Sequence, residues 1–520
     1  MVADVKFLRV TALPLTPIPN ALYFVKAANE QTGQLFVTGN DAVPVPFTGE
    51  GCPTISVTGA PYFADNTGIN SATAAIQEAI DDLYDMGGGT LVFPDGLYRI
   101  TASTTGETFD NDGVVVPASQ CGIIQRAGVS LVAANDYGAK IYTNDNTLFL
   151  IAQIAPVKCG LSGFEIYGTW LVGQMVAGHG VFTLSTAGGA DRSCRDNVWE
   201  RLRIHNVASY GIGLQAGSPL RCRLSDIDVW DVGADGLDLK SRSDATEPVG
   251  NIVENIRVRN HGQRVTGSNG VDLRGIWQAS NITVTDFGGN ATLDYGGVRF
   301  RTKPGGGDPT ERVASRSTLS QVYVKPTQGA AANTIVGVQN GSDNISISQV
   351  VTDDCTRGYE ATGNVNGNAQ SATVQGFIAL NSREYGFFLG VDCTDQTLSC
   401  CHSAASVTAG IRNNATRSKI IGHSSINETK ITSSVAAAAT EIIQGGALGS
   451  ETGVSETSPA AGRAGLKAVG PSANIDFVID PKGTGVIRSG TVVATADAPI
   501  TSYFPWKDSS GVTRKIAVIS

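Results

Sequence analysis

Two aspartates occupy the same place in two short alternating segments. Asp238 follows Gly236 in DGLDLK, and Asp272 follows Gly270 in NGVDLR. In a strand, the apolar neighbours Leu237, Leu239, Val271 and Leu273 point one way and the aspartates the other. If the two segments are adjacent strands, ~4.8 Å apart, the carboxylates stack. Lys240, Arg274, Arg299 and Arg301 fall on the same outward side, with Asp235 at the edge. Stacked carboxylates raise one another's pKa while nearby cations keep one ionised. Glycoside hydrolysis needs such a pair, one group protonated for the leaving oxygen and one ionised as nucleophile or base. The blander reading is a ladder of solvated ion pairs, worth ~0.2–1 kcal/mol each. Glu360, Glu384 and the pair Asp353 and Asp354 form a second acidic possibility further along.

The element that could align these groups is an imperfect repeat. The frame x-Gly-apolar-x-apolar-x recurs as HGVFTL, YGIGLQ, DGLDLK, NGVDLR, GGVRFR, RGYEAT and YGFFLG. Each copy follows an alternating strand such as VWERLRIHNV, RLSDIDVWDV or NISISQVVTD. The glycine spacings Gly180–Gly211, Gly211–Gly236, Gly236–Gly270 and Gly270–Gly297 are 31, 25, 34 and 27 residues. Irregular units of this size, alternating inside, predict coils of a parallel β-helix with variable corner loops. The outward column then reads Phe182, Gly213, Asp238, Asp272, Arg299, Glu360 and Phe388. Trp230 and Trp277 lie in the same stretch and could stack on sugar rings, although Trp is as often buried between coils.

Composition agrees with many short strands. The chain has 520 residues, 62 Gly, 3 Met and 16% charged residues, against usual shares of ~7% Gly and ~25% charge. One helix is expected, where Ala75, Ile76, Ala79, Ile80 and Leu83 recur at helical spacing. Asn70 or Ser71 would cap it and Gly87–Gly89 end it, with the strand TLVFP following. The net charge of −9 disfavours a nucleic-acid partner, which demands a basic footprint. No run approaches the ~18 apolar residues of a membrane helix, so no membrane insertion is expected. The first residues lack the basic segment and unbroken apolar core of a secretory signal. Nine cysteines without a CxxC pair read as buried thiols of a chain made in a reducing cytoplasm, with no metal or other cofactor.

Three parts of the sequence resemble the tailspikes of tailed bacteriophages, which carry a pectate-lyase-like β-helix. GINSATAAIQEAIDDLYDMGGGTLVFPDGLYRI is similar to the helix-then-strand cap of such solenoids. LYFVKAANEQTGQLFVTGND resembles N-terminal virion-attachment pieces, and SANIDFVIDPKGTGVI with WKDSSGVTRKIAVIS resembles a C-terminal module of phage tail proteins. The resemblance implies an all-β chain: residues 1–58 an attachment domain and linker, 59–447 a right-handed parallel β-helix with a short capping helix, and 448–520 a small β module. It also implies a homotrimer on the virion, joined to tail, baseplate or adaptor proteins through residues 1–58. That trimer would bind, and usually cleave, a bacterial surface polysaccharide such as capsule, exopolysaccharide or O-antigen.

GVRFRTKPGGG further resembles the RIK strand of the polygalacturonase family, with Arg299 and Arg301 at its Arg and Lys positions. DGLDLKS resembles that family's Asp-bearing strand, and Gly178–Gly180 spells its GHG. The order departs, since GHG comes first and the paired Asp-Asp step is absent. Asp235 or Asp238 is left as acid or base, Arg299 and Arg301 as anion binders, and His179 as an ordinary corner residue. An endo-acting hydrolase is thus the leading expectation. A non-enzymatic receptor-binding fibre is the second, and a polysaccharide lyase, favoured by the basic column Lys240, Arg274 and Arg301, is the third.

Overall fold

The computed structural model describes residues 53–215, 218–240, 250–289, 293–301, 316–327, 334–362, 371–391, 393–415 and 418–426, with short segments between 6 and 46 and between 431 and 518. The helix spans Thr73–Asp85 and buries Ile76, Ala79, Ile80 and Leu83, while Ala75 packs at the edge. It starts later than expected. Residues Thr67–Ser71 pair as a strand with Gly96–Arg99, which leaves Ala72 as the N-cap, and the Ser71 hydroxyl accepts the Thr73 N–H at 3.3 Å. The glycines do end it: Gly87 has φ +93°, and the Gly88 N–H returns to the Leu83 carbonyl at 2.8 Å.

Beyond the helix the chain winds as a right-handed parallel β-helix. One wall is built of long strands such as Val198–Val207, Arg223–Val232, Ile252–Arg259 and Gln278–Thr285, each in register with the next. Each bends at a left-handed residue, Arg201, Asp226, Asn255 and Asn281, and the first two carry a second near their ends, Asn206 and Asp231. Asn and Asp tolerate positive φ better than most residues because their short side chains bond locally. Here Asn281 donates to Asn255 at 2.7 Å and Asn255 to Asp226 at 3.0 Å, so the corner becomes a side-chain ladder.

The facing wall is the predicted glycine frame: His179–Thr186, Ile212–Leu214, Leu237–Lys240, Ser268–Arg274, Tyr295–Arg301, Ile335–Gly341, Arg357–Ala361, Tyr385–Leu389 and Ala409–Asn413. Val, Ile and Leu from both walls meet in one continuous core. The sequence series omitted two of these coils, Ala409–Asn413 at the end and Ile335–Gly341 in the middle. Ile335–Gly341 stands between the Arg299 and Glu360 strands, so Gln339 belongs in the outward column. Its VGV carries no polar mark, and 40 residues separate Gly297 from Gly337.

The frame glycine is a steric requirement. A Cβ at Gly211 would lie 2.6 Å from Val229 Cγ1 and 2.7 Å from the Gly236 carbonyl, and one at Gly270 2.5 Å from Val284 Cγ1. The two walls approach too closely there for any side chain.

In the N-terminal region, Ala21–Val25 and Gln34–Thr38 pair antiparallel, with Lys6–Val10 parallel beside them. Arg9 reaches Asp82 of the helix at 2.9 Å. Residues 461–520 form a separate unit, in which Ser502–Lys507 and Thr513–Val518 pair as a hairpin. The segment SANIDFVIDPKGTGVI of the same module lies outside the described residues. Of the eight described cysteines, seven are buried and only Cys400 is exposed.

Gly211→Val should lower the melting temperature by the equivalent of ~1–3 kcal/mol of overpacking. Gly289→Ala, where nothing lies within 4 Å of the added Cβ, should melt like wild type. Equal melting of both variants would refute the close-approach argument.

Candidate active site

The register places Asp238 beside Asp272 and Asp272 beside Arg299, with Lys240 beside Arg274. The alignment is as expected, but the exposure is not. Asp238 is 1% exposed and Asp272 0%, so the groups that point out of the coil are nonetheless buried. Solvated surface pairs therefore do not describe this cluster. The Arg274 guanidinium lies 3.2 Å from Asp238 Oδ1 and 3.2 Å from Asp272 Oδ2, and Arg299 lies 3.0 Å from the same Asp272 oxygen. Lys240 turns to Asp112 at 3.5 Å. The side chain of Arg301 lies outside the described residues.

Asp235 completes the cluster from the position before the frame glycine, where its Oδ1 accepts the Asn269 N–H. Burial pushes its carboxyl up to about 7, and the charges of Asp238 and Asp272 push the same way against Arg299. Charge matching gives the physical reason. Two guanidinium groups balance two carboxylates, and the third carboxyl, out of water, is then cheaper to protonate than to ionise. Burial alone would lower the Arg274 and Arg299 values, but the neighbouring carboxylates outweigh it and both are raised.

One oxygen from each of Asp235, Asp238 and Asp272 lies within 4.8 Å of the others. A cation bound by Asp238 and Asp272 would have to take the place that Arg274 fills between them. The donor set therefore suits a fixed guanidinium better than a metal.

Several expected residues lie elsewhere. Trp277 is fully buried in the core, its indole N–H donating to the Arg274 carbonyl at 3.0 Å, so it offers no face to a sugar. It acts by holding the strand end that carries Arg274. Trp230 is on the other wall, stacked on His205 at 4.3 Å with Arg259 over its ring; chain proximity to Asp238 did not become proximity in space. His179 is buried between Phe149, Phe182 and Tyr210, and burial holds its pKa down to about 3. In the second acidic group, Arg357 bridges Glu360 at 3.0 Å and Glu384 at 2.9 Å, while Asp353 pairs with Lys325 and Asp354 with Arg383.

Two further residues of the repeat frame stand at the cluster. The Gln215 amide donates to the Asp238 carbonyl at 3.3 Å. Tyr210 stands one coil before Asp235, its own pKa raised by burial and then by Asp238 and Asp235.

No known family profile and no curated protein matches the sequence. Solved structures do. The chain is similar to the A-module of the Azotobacter vinelandii mannuronan C-5 epimerase AlgE4, at 16% identity over 75% of this chain and 100% of that one, with a TM-score of 0.51. It is also similar to the catalytic unit of a Streptomyces thermodiastaticus GH87 α-1,3-glucanase, at 16% identity over 75% and 70% of the two chains, TM-score 0.47. The tailspike protein of E. coli bacteriophage HK620 matches at 12% identity over 75% and 65%, TM-score 0.44. At 16% identity the likeness to the epimerase A-module is one of fold alone.

Proposed function

We propose that this chain is the tailspike of a tailed bacteriophage, and that it binds and depolymerises a bacterial surface polysaccharide by endo-glycosidic hydrolysis. The observation that carries this reading is the buried carboxyl of Asp235, at about 7, beside Asp238 and Asp272 with their matched guanidinium groups. A general acid works best with a pKa near the operating pH. Asp235 then protonates the leaving glycosidic oxygen while Asp238 attacks the anomeric carbon. Once deprotonated, Asp235 takes a proton from the water that hydrolyses the glycosyl-enzyme ester. The carboxyl spacing supports this double displacement, since inversion needs ~6.5–9.5 Å to admit a water between the groups. Asp272 fixes Arg274 and Arg299, whose positive charge stabilises the charge developing at the reacting sugar.

The lyase reading has less support. A lyase needs a free cation for a uronate carboxylate, and Arg274 and Arg299 are already engaged with aspartates. The resemblance of the ends supports a homotrimer that is part of the virion, attached to tail or adaptor proteins through residues 1–58. A solution mass of about one chain, 54.0 kDa, would contradict the trimer.

A panel of purified capsular, exopolysaccharide and O-antigen polymers tests the activity. Reducing ends should appear without the ultraviolet absorbance of an unsaturated product. Asp235→Asn and Asp238→Asn should each cost ~10²–10⁴-fold in rate while the fold is kept. Binding without any release of oligosaccharide would favour the non-enzymatic fibre, and wild-type turnover in both variants would move the site elsewhere.

The same carboxyl makes stability depend on pH. Its folded value of about 7 lies above the ordinary 3.8, so the native state binds the extra proton between the two. The stabilisation is complete below about 3.8 and lost as pH rises through about 7. Asp235→Asn should therefore melt above wild type at alkaline pH, with the difference shrinking as pH falls through 7 towards 4. A pH-independent difference would show that Asp235 is not the protonated member.

A further inference from the structure

The outward column changes character at Asp238. On the side of lower residue numbers it is apolar and covered. Phe182, Leu184, Ala152 and Ile154 form a second core with Phe109 and Val116. The last two come from an antiparallel hairpin of Thr108–Asn111 and Val114–Pro117, whose first strand pairs with Ser185 and Thr186. At the tip of this hairpin Asp112 meets Lys240, two residues from Asp238. Gly213, in register with Asp238, has no side chain, and the space a Cβ would need is taken: Phe182 Cδ2 is 2.7 Å away. On the other side the column is hydrophilic at Arg299, Gln339 and Glu360, is broken by the Phe388 ring, and is hydrophilic again at Arg412.

We propose that the 108–117 hairpin and Phe182 are an end wall of the polysaccharide track. A bound chain makes its contacts on the Arg299 side of the acid cluster and must turn off the protein surface at Asp238. The carboxylates then sit at one end of the bound stretch, and the wall fixes where along that stretch the bond is cut. This proposal rests on the hydrolase reading above and adds a determinant of cleavage position outside the catalytic groups. The physical reason is excluded volume. Sugar cannot enter a region already packed by Phe109, Val116 and Phe182, whereas Arg299, Gln339 and Glu360 offer hydrogen-bond partners on three successive coils and Phe388 an apolar ring on the next.

The test uses full-length protein and end-labelled oligosaccharides prepared from whichever polymer of the panel the wild type cleaves. For oligosaccharides just long enough to fill the bound stretch, wild type should cut at one position, a short distance from one end. Phe182→Ala opens the space over Gly213, and Asp112→Arg sets like charges opposite Lys240 and releases the hairpin tip without touching the second core. Both variants retain Asp235, Asp238 and Asp272. Both should still cleave, but at a spread of positions displaced further from that end. Should Phe182→Ala fail to fold by circular dichroism, Asp112→Arg decides alone. Unchanged single-position cleavage in folded variants overturns the wall, as does wild-type cleavage at many positions. Wild-type protein that cleaves no polymer of the panel overturns the hydrolase reading itself, and the wall with it.

Discussion

The whole arrangement depends on how closely the two walls of the solenoid approach at the frame glycine. Gly180, Gly211, Gly236, Gly270 and Gly297 each leave no room for a Cβ, and each is followed by an inward apolar residue. This pins the strand in depth and in register, because a slip of one residue would drive a side chain into the opposite wall. Once the glycines are aligned, the residue two positions on is aligned as well. Asp238, Asp272 and Arg299 are stacked for that reason and need no mutual attraction to be brought together.

What they do once stacked is decided by burial. Exposed, the pairs would be worth little. Out of water, an unmatched carboxylate is costly, so two guanidinium groups match two carboxylates and the remaining carboxyl takes a proton. The coil further along shows the contrast. Arg357 there bridges Glu360 and Glu384, and Glu384 keeps 34% of its side chain exposed. Burial raises Glu360 against the pull of Arg357, but the group has one acidic neighbour bridged by the same cation and not a packed triad.

The polar cluster is set beside an apolar one. Phe149, His179, Phe182 and Tyr210 stack on the coils just before Asp235, and the hairpin packs over part of this surface. Aromatic surface on one side and fixed charges on the other is the setting in which a carboxyl is kept protonated near neutral pH while its neighbours are not. The same packing that raises Asp235 therefore also bounds the space beside it.

The sequence by itself determined the repeat, the direction of each side chain relative to the coil, and the pairing of Asp238 with Asp272 and of Asp272 with Arg299. All three follow from a period of two anchored on a glycine, which is local information. It also determined the helix and its apolar face, though not its first residue, because the strand pairing of residues 67–71 is a contact with a distant segment. Tertiary structure alone decided what lies over those outward positions. The Asp112-Gly113 turn marks the 108–117 hairpin locally, but its contact with Lys240, across 128 residues of chain, has no local mark. Depth of burial, and with it the protonation of Asp235, was invisible for that reason. Trp277 and Trp230 make the same point: alternation tells in from out, but which wall a ring occupies and whether a neighbour covers it depend on how the coils close.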